Sequence, residues 1–311
     1  MRDAAIDAAY ELGVFGALTA ESLTIDQLGT RLGVGARRLR ALLDALVAFG
    51  VLARDGDRFA VSEQPPRPVV ARTGWGLLAD VIRRDRALSA ERGDGELRYH
   101  QHLLQAGAAA ARELAIQLPA WRIRAARLLD LGGGAGAYTS AFLDAYPEAR
   151  ATLVDEERVV ELAKSELARF GARVTYVAGD ARTAAMGDDY DVVLLANVLH
   201  LHSEPACREL CAAAARAVAP GGAVAIKDLR MDEDRRGPLE SVLFALNMAI
   251  YTEAGDVYEA SRVCAWLAAA GLVEVEQRTL ATSPDGLLVT ARRARQTPEL
   301  LHHSRGPREP P

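Results

Sequence analysis

The chain has 311 residues, half of them hydrophobic and a quarter charged, which is enough for two domains that each bury a core. Its net charge of −5 excludes a protein that binds nucleic acid through an overall positive field. No run approaches the roughly 18 apolar residues of a membrane span, and residues 1–18 lack the features of a signal peptide. The cysteines, Cys207, Cys211 and Cys264, have no metal-site spacing and favour a reduced, cytoplasmic protein.

The N-terminal 60 residues predict a winged helix-turn-helix. Apolar periodicity predicts helices over 2–18, 24–33 and 34–50, with Thr24 as the N-cap of the second and Gly33 as its stop. Two short extended runs around Asp-Gly in 51–62 then predict a hairpin. Three helices followed by a hairpin is the order of elements in a winged helix.

The C-terminal part predicts an open α/β sheet. A segment with three prolines, 64–72, precedes a mostly helical stretch, 73–125. From residue 126 onward, the short apolar runs ARLLDL, ATLVD, VTYVAGD, DVVLLANV, AVAIKDL and GLLVTARR mostly alternate with helical segments. This alternation predicts a mostly parallel sheet with helices on both faces and a ligand at the carboxyl ends of the strands.

The stretch LLDLGGGAGAYTSAFL, 128–143, lies at the first predicted strand-to-helix turn. Its glycines allow a sharp turn and a close approach of backbone to a ligand. The pattern also satisfies the dinucleotide form G-x-G-x-x-A, which would end at Ala137, so the glycines alone do not choose between two nucleotide ligands.

Acidic residues decide between these ligands. Asp130 precedes the glycines, Asp155 ends the second predicted strand and Asp180 ends the third. Three carboxylates would repel a pyrophosphate but suit a ligand without phosphate and with a positive end. Asp155 can accept hydrogen bonds from ribose hydroxyls, and Asp180 can accept one from the exocyclic amine of adenine.

The segments LLDLGGGAG, TLVDEERV, YVAGDA, DVVLLANVLHLHSE and APGGAVAIKDLRMDED resemble the successive motifs of class I S-adenosylmethionine-dependent methyltransferases. With the winged helix in front, the chain is similar over 1–293 to the small-molecule O-methyltransferases of plants and bacteria. The resemblance implies a Rossmann-like doubly wound α/β sheet behind an N-terminal domain of the all-α winged-helix class, which forms a homodimer. It implies four segments: a dimerisation domain (1–63), a helical linker that contributes to the active-site pocket (64–125), a methyltransferase domain (126–295) and a disordered tail (296–311).

The resemblance also implies which residues bind S-adenosylmethionine and its product, S-adenosylhomocysteine. These residues are Asp130, Gly132, Gly133, Gly134, Gly136, Asp155, Glu156, Asp180, Ala181 and Asn197. In this scheme the glycines cradle the methionine part near Asp130, and Asn197 lies beside the sulfonium.

His200 is the predicted general base. It follows the fourth predicted strand, at the edge where the ligand lies, and a histidine titrates near neutral pH. The family pattern at this point is Leu-His-Asp-Trp, and Leu201 and His202 replace its last two residues. An acid that orients the base falls, by position, on Val257, so we predict that the adjacent Asp256 takes this role. His202 is predicted to contact the acceptor.

The segment 238–255 is the predicted acceptor helix. Phe244, Met248 and Tyr251 recur at helical spacing, and Asn247 adjoins this stripe. A polar residue beside an apolar stripe needs a partner, so Asn247 favours a ligand. Ordinary core packing is the alternative for the apolar residues.

The expected reaction is O-methylation of a phenolic or enolic hydroxyl on a small acceptor of the natural-product type. One alternative is C-methylation, assisted by a metal on His200 and His202, but two histidines make a weak site and we expect no metal. Another is a DNA-binding regulator that uses Arg37, Arg38 and Arg40 at the start of the third helix. We expect neither a nucleic acid nor a membrane as partner.

Overall fold

The computed structural model describes residues 1–88, 94–118 and 126–295; the predicted tail, 296–311, and parts of the predicted linker lie outside these ranges. The N-terminal elements are α1 (Arg2–Leu12), α2 (Val14–Leu18), β1 (Leu23–Thr24), α3 (Ile25–Leu32), α4 (Ala36–Ala48), β2 (Leu52–Asp55) and β3 (Arg58–Val61).

Local capping explains the boundaries of these elements. The Thr24 hydroxyl accepts from the backbone of Gln27, whose side chain accepts from the backbone of Thr24, and this capping box starts α3. Gly13, with φ 81°, divides the first predicted helix into α1 and α2. The hairpin is confirmed, but β1 joins it to form a three-stranded sheet in the order β1-β3-β2, so the domain is not purely helical.

Two helices, α5 (Leu78–Arg84) and α6 (Asp94–Gln117), lead into the large sheet. The strands of this sheet are β4 (Arg127–Leu131), β5 (Arg150–Asp155), β6 (Val174–Ala178), β7 (Tyr190–Ala196), β8 (Val218–Leu229), β9 (Val273–Leu280) and β10 (Ser283–Arg292). Their order is β6-β5-β4-β7-β8-β10-β9. The first five pair in parallel, whereas β10 is antiparallel to both neighbours. The predicted doubly wound sheet is confirmed.

Helices cover both faces of this sheet. They are α6, α7 (Ala137–Ala145), α8 (Glu157–Glu166), α9 (Glu204–Ala217) and α11 (Ala260–Ala269), whereas α10 (Leu239–Tyr251) lies away from the sheet. Leu128 packs with Phe142 in the core on one face, and Leu129 packs with Trp266 in the core on the other. Alternate residues of β4 therefore enter opposite cores, as a strand buried on both sides requires. No helix in the described ranges is long and apolar enough to span a membrane.

Helix α10 packs into the N-terminal core instead. Its Val242, Leu246 and Ile250 are buried in one cluster with Leu42 and Leu46 of α4. The N-terminal domain and the sheet are thus joined by an apolar core as well as by the chain.

Two arginines reinforce this junction. Arg38 is 2% exposed, and its guanidinium donates to the Ala249 carbonyl (3.0 Å) and to Asp85 (2.6 Å). Arg37 donates to the carbonyls of Gly255 (2.6 Å) and Thr252 (3.2 Å). Both side chains bind the protein's own carbonyls at and just after the end of α10, so this fold gives no support to the alternative in which they contact DNA.

Candidate active site

A cavity of about 1120 Å³ opens at the carboxyl ends of the parallel strands. The glycine loop after β4 and the ends of β5, β6, β7 and β8 form its floor, and α10 contributes to its wall. This is the position that an open parallel sheet predicts for a ligand.

The glycine loop follows β4 closely and leaves no room for side chains. Gly132, Gly134 and Gly136 have φ values of 71°, 57° and 90°, which L-residues with a Cβ rarely adopt. A Cβ on Gly132 would lie 2.6 Å from Val198, and one on Gly133 would lie 2.6 Å from the Leu153 side chain. The backbone therefore forms the cavity surface itself.

Asp155 holds this loop in place. Its carboxylate accepts from the backbone N–H groups of Gly134 (2.7 Å) and Glu156 (2.7 Å). Both Asp155 and Glu156 line the cavity, where we predicted a contact with ribose.

Asp130 lies on the buried side of the glycine loop, with its carboxyl carbon beside Gly133. It is 1% exposed, and Oδ2 accepts from the Thr139 hydroxyl (2.7 Å), whereas Oδ1 has no hydrogen-bond partner. Burial raises the pKa of Asp130 to about 6, although the Thr139 hydrogen bond lowers it. Asp130 does not itself line the cavity formed by the described residues, so its place near the ammonium group of the methionine part stays a prediction.

Asp180 and Ala181 line the opposite side of the same end of the cavity. The Arg182 side chain and backbone both donate to Asp180, and hydrogen bonds from the side chain chiefly lower the pKa of this carboxyl to about 2. The structure places His202 within the electrostatic influence of this pair, because burial and then Arg182 lower the pKa of His202. His202 lines the cavity within the influence of Arg182, Asp180 and also His200, so its predicted contact with the acceptor stays a prediction.

His200 lies in a 3-10 turn just beyond β7 and is 6% exposed. Its Nδ1 is 2.7 Å from Oδ1 of Asp228, and its backbone N–H donates to the other oxygen of the same carboxylate (3.3 Å). Burial alone would raise the pKa of Asp228, but the interactions with His200, the Leu229 backbone N–H and Lys227 together hold this pKa below its usual value. Because Nδ1 is engaged, Nε2 is the nitrogen left for a substrate.

The predicted partner of His200 is therefore wrong. Asp256 accepts instead from the Arg235 guanidinium (2.7 Å), which also binds Asp44 (3.0 Å) and Glu259 (2.9 Å). The carboxylates near Arg235 are therefore engaged in ion pairs with this buried arginine. The partner of His200 is Asp228, at the end of the neighbouring strand β8. An acidic residue at the end of that strand was the sequence feature from which this partner could have been predicted.

Of the four residues of α10 that were predicted to contact the acceptor, one lines the cavity. Phe244 lines the cavity, with its ring edge-on to His200 at 4.9 Å between centroids. Met248 is buried, Tyr251 lies by Gly74, and Asn247 is half-buried; none of these three lines the cavity formed by the described residues. Their prediction as acceptor contacts is wrong here, because α10 turns much of its apolar surface toward the N-terminal core.

Asn197 follows β7, has a φ of 59°, and lines the cavity. Its side-chain oxygen accepts from Nζ of Lys227 (2.9 Å), a residue that sequence reasoning missed. Within residues 1–88, 94–118 and 126–295, no three His, Cys, Asp or Glu side chains are placed to share a metal ion.

Comparison with known proteins adds two family models. One, described as an O-methyltransferase domain, matches residues 97–272, and another, described as an O-methyltransferase dimerisation domain, matches residues 1–66. The chain is 30% identical to the 3-hydroxy-5-methyl-1-naphthoate 3-O-methyltransferase of Streptomyces sahachiroi, over 87% of this chain and 86% of that protein. It is 28% identical to chicken (Gallus gallus) acetylserotonin O-methyltransferase, over 90% and 91%.

Solved structures agree with these matches. A family 2 O-methyltransferase from Planctomyces limnophilus, in complex with apigenin, superimposes with a TM-score of 0.76 at 26% identity, covering 94% of this chain and 93% of that one. Human N-acetylserotonin methyltransferase, in complex with S-adenosylmethionine, gives a TM-score of 0.62 at 26% identity, with 94% of each chain covered.

Proposed function

The chain belongs to the S-adenosylmethionine-dependent O-methyltransferase family, and from this membership we propose that it methylates a hydroxyl group on an aromatic small molecule. The names of its relatives support the acceptor class, since hydroxynaphthoate, acetylserotonin and apigenin are all aromatic. The alternatives of C-methylation and of gene regulation have no support among these relatives. The N-terminal dimerisation domain supports a homodimer.

The residues at the glycine loop fit the methyl donor. No Cβ fits at Gly132 or Gly133, so backbone lines the cavity there, and the free oxygen of Asp130 behind the loop would complement the ammonium group of the methionine part. Asp155 and Asp180 line the side where ribose and adenine would lie. The donor supplies a methyl carbon activated by sulfonium, so the protein's contribution is alignment and removal of the acceptor's proton.

The observation that carries the proposed mechanism is the 2.7 Å contact between His200 and Asp228 inside the cavity. A carboxylate on Nδ1 fixes the tautomer in which Nε2 is the base, and it stabilises the imidazolium that forms. The acceptor O–H would give its proton to Nε2 as its oxygen attacks the methyl carbon. Phe244 would hold the histidine ring and present an apolar surface to an aromatic acceptor.

The test is methyl transfer from S-adenosylmethionine to hydroxylated aromatics by the wild type and by His200→Ala. We expect the variant to lose about a hundredfold or more in turnover while it binds S-adenosylhomocysteine normally in calorimetry. A wild type that binds the cofactor but methylates no aromatic hydroxyl would contradict the proposed function.

A further inference from the structure

Lys227 is a buried lysine whose Nζ forms no direct ion pair in the described part of the chain. Burial lowers the pKa of Lys227, and the nearby Asp228 carboxylate raises it. Lys227 is one of two lysines in the sequence, and it is 9% exposed in the cavity wall. Its Nζ donates to the neutral Asn197 amide oxygen (2.9 Å), and no carboxylate in the described part of the chain forms an ion pair with it. The neighbouring Asp228 carboxylate is bound to His200. An ammonium group can donate three hydrogen bonds, so two remain available here.

Tyr138 is a second buried donor in the described part of the cavity. It lines the same cavity and is 7% exposed. Among the described residues its hydroxyl has no partner at normal hydrogen-bond geometry, although it lies near enough to the Asn197 side chain for a weak hydrogen bond. Burial raises the pKa of Tyr138, so the group remains an O–H donor. The Asn197 side chain influences both groups, since it lowers the pKa of the Tyr138 hydroxyl and accepts from Lys227. Buried donors of this kind are expected to find acceptors.

Apart from Asp228, which His200 also engages, no carboxylate in the described residues of the cavity lies close to Lys227. The Arg182 cation is bound to Asp180 at the far end, and Glu240 and Asp285 are exposed, where water screens them. The methyl donor would add a positive sulfonium near Asn197. Two cations in one buried cavity are costly unless an anion accompanies them.

We infer that the Lys227 ammonium, together with the Tyr138 hydroxyl, binds an anionic oxygen of the acceptor. The acceptors are therefore acidic aromatic hydroxy compounds, in which the anion is either a carboxylate beside the hydroxyl or the acidic phenol itself. This inference rests on the proposed function, which it narrows from aromatic hydroxyls to acidic ones.

Fluorescence titration of the protein saturated with S-adenosylhomocysteine tests this without turnover. The probes are 3-hydroxy-2-naphthoate, neutral 2-naphthol, and 6-cyano-2-naphthol, which is more acidic but has no carboxylate. We expect the wild type to prefer at least one acidic probe over 2-naphthol by about tenfold or more, as a charge-assisted hydrogen bond provides. The probe that is preferred identifies the anion.

Substitutions test whether Lys227 and Tyr138 cause the preference for acidic probes. Lys227→Met should abolish it, Lys227→Arg should retain part of it, and Tyr138→Phe should reduce it a few-fold. Lys164→Met removes the other lysine, which is exposed on α8 and pairs with Glu161, and it should change nothing. Calorimetry with S-adenosylhomocysteine should give the same affinity for Lys227→Met as for the wild type.

Three results would overturn the inference. One is a wild type with no preference among the probes, and another is a preference that survives in Lys227→Met. The third is a loss of cofactor affinity in Lys227→Met as large as the loss for the acidic probe, since Lys227 would then bind the cofactor's own carboxylate. Methylation of 2-naphthol without any preference would leave the proposed function standing while the inference fails.

Discussion

The two ends of the cavity are built in different ways. At the cofactor end, formed by the glycine loop with Asp155 and Asp180, most polar contacts are to backbone or to near neighbours, such as Arg182 two residues after Asp180. At the acceptor end, formed by His200, Lys227, Asp228 and Phe244, the contacts join residues 28 and 30 positions apart. The first end relies on backbone groups, including the Gly134 N–H that donates to Asp155 at the ends of the paired strands β4 and β5, whereas the second relies on side chains brought together by the register of β7 and β8. Mutations should therefore separate binding of the cofactor from chemistry.

Asp228→Asn should have the largest effect and should act only at the acceptor end. An amide preserves the shape but cannot stabilise the imidazolium, so we expect turnover to fall by about a hundredfold to ten-thousandfold. Steady-state kinetics and cofactor calorimetry together would check this. Asp256→Asn is the matched control, because it removes an acid from the Arg235 cluster; equal losses in the two variants would restore Asp256 as the catalytic partner.

Asp155→Ala should come next and should act at the cofactor end. It removes the acceptor of two backbone hydrogen bonds and the predicted ribose contact, so the affinity for S-adenosylhomocysteine should fall about tenfold to hundredfold in calorimetry. Glu157→Ala removes a neighbouring cavity carboxylate that makes none of these bonds and should change affinity little. An unchanged affinity in Asp155→Ala would show that the loop holds its shape without this residue.

The affinity for the cofactor should also depend on pH, because of Asp130. Its pKa is about 6 in the protein without cofactor, and an ammonium group beside it would favour the ionised form. Below this pKa, binding must first remove a proton, so affinity for S-adenosylhomocysteine should rise about fivefold from pH 5 to pH 6, about twofold more by pH 7, and then level off. Asp130→Asn should flatten this profile. A wild-type profile that is flat over the same range would place the ammonium elsewhere.

His202→Ala should have the smallest effect. Its lowered pKa leaves His202 neutral at pH 7, so we expect a loss of roughly twofold to fivefold in cofactor affinity, as for one uncharged contact. The affinity for the acceptor should not change. A selective loss of acceptor binding would instead support the acceptor contact that its sequence position predicts.

The sequence predicted the parts of the fold whose signals are local. The capping box at Thr24, the Asp-Gly hairpin and the apolar runs of β4 to β8 each need only a few neighbouring residues, and the structure confirms them. Strand β9 was not predicted, because it lies at the sheet edge and carries charged, exposed residues in place of an apolar run.

The acceptor end was harder to predict for a related reason. His200 was found from its place after β7, but its partner depends on which strand lies beside that one, and counting along the chain led to Asp256 instead. Similarly, the apolar residues of α10 could pack either against the N-terminal core or into the cavity. Phe244 faces His200, whereas Met248 is buried outside the cavity, and periodicity alone does not separate these cases.

The packing of α10 in the N-terminal core has a consequence for exchanging parts between relatives. An N-terminal domain grafted from another family member would meet Val242, Leu246 and Ile250 as foreign surface, and Arg37 and Arg38 would have to find the same carbonyls at the end of the helix. The unit that must be exchanged as a whole is therefore discontinuous. Residues 1–88 have to be replaced together with 238–255, although about 150 residues of the chain lie between them. A chimera that respects this division also transfers Phe244, so it exchanges part of the acceptor specificity together with the scaffold.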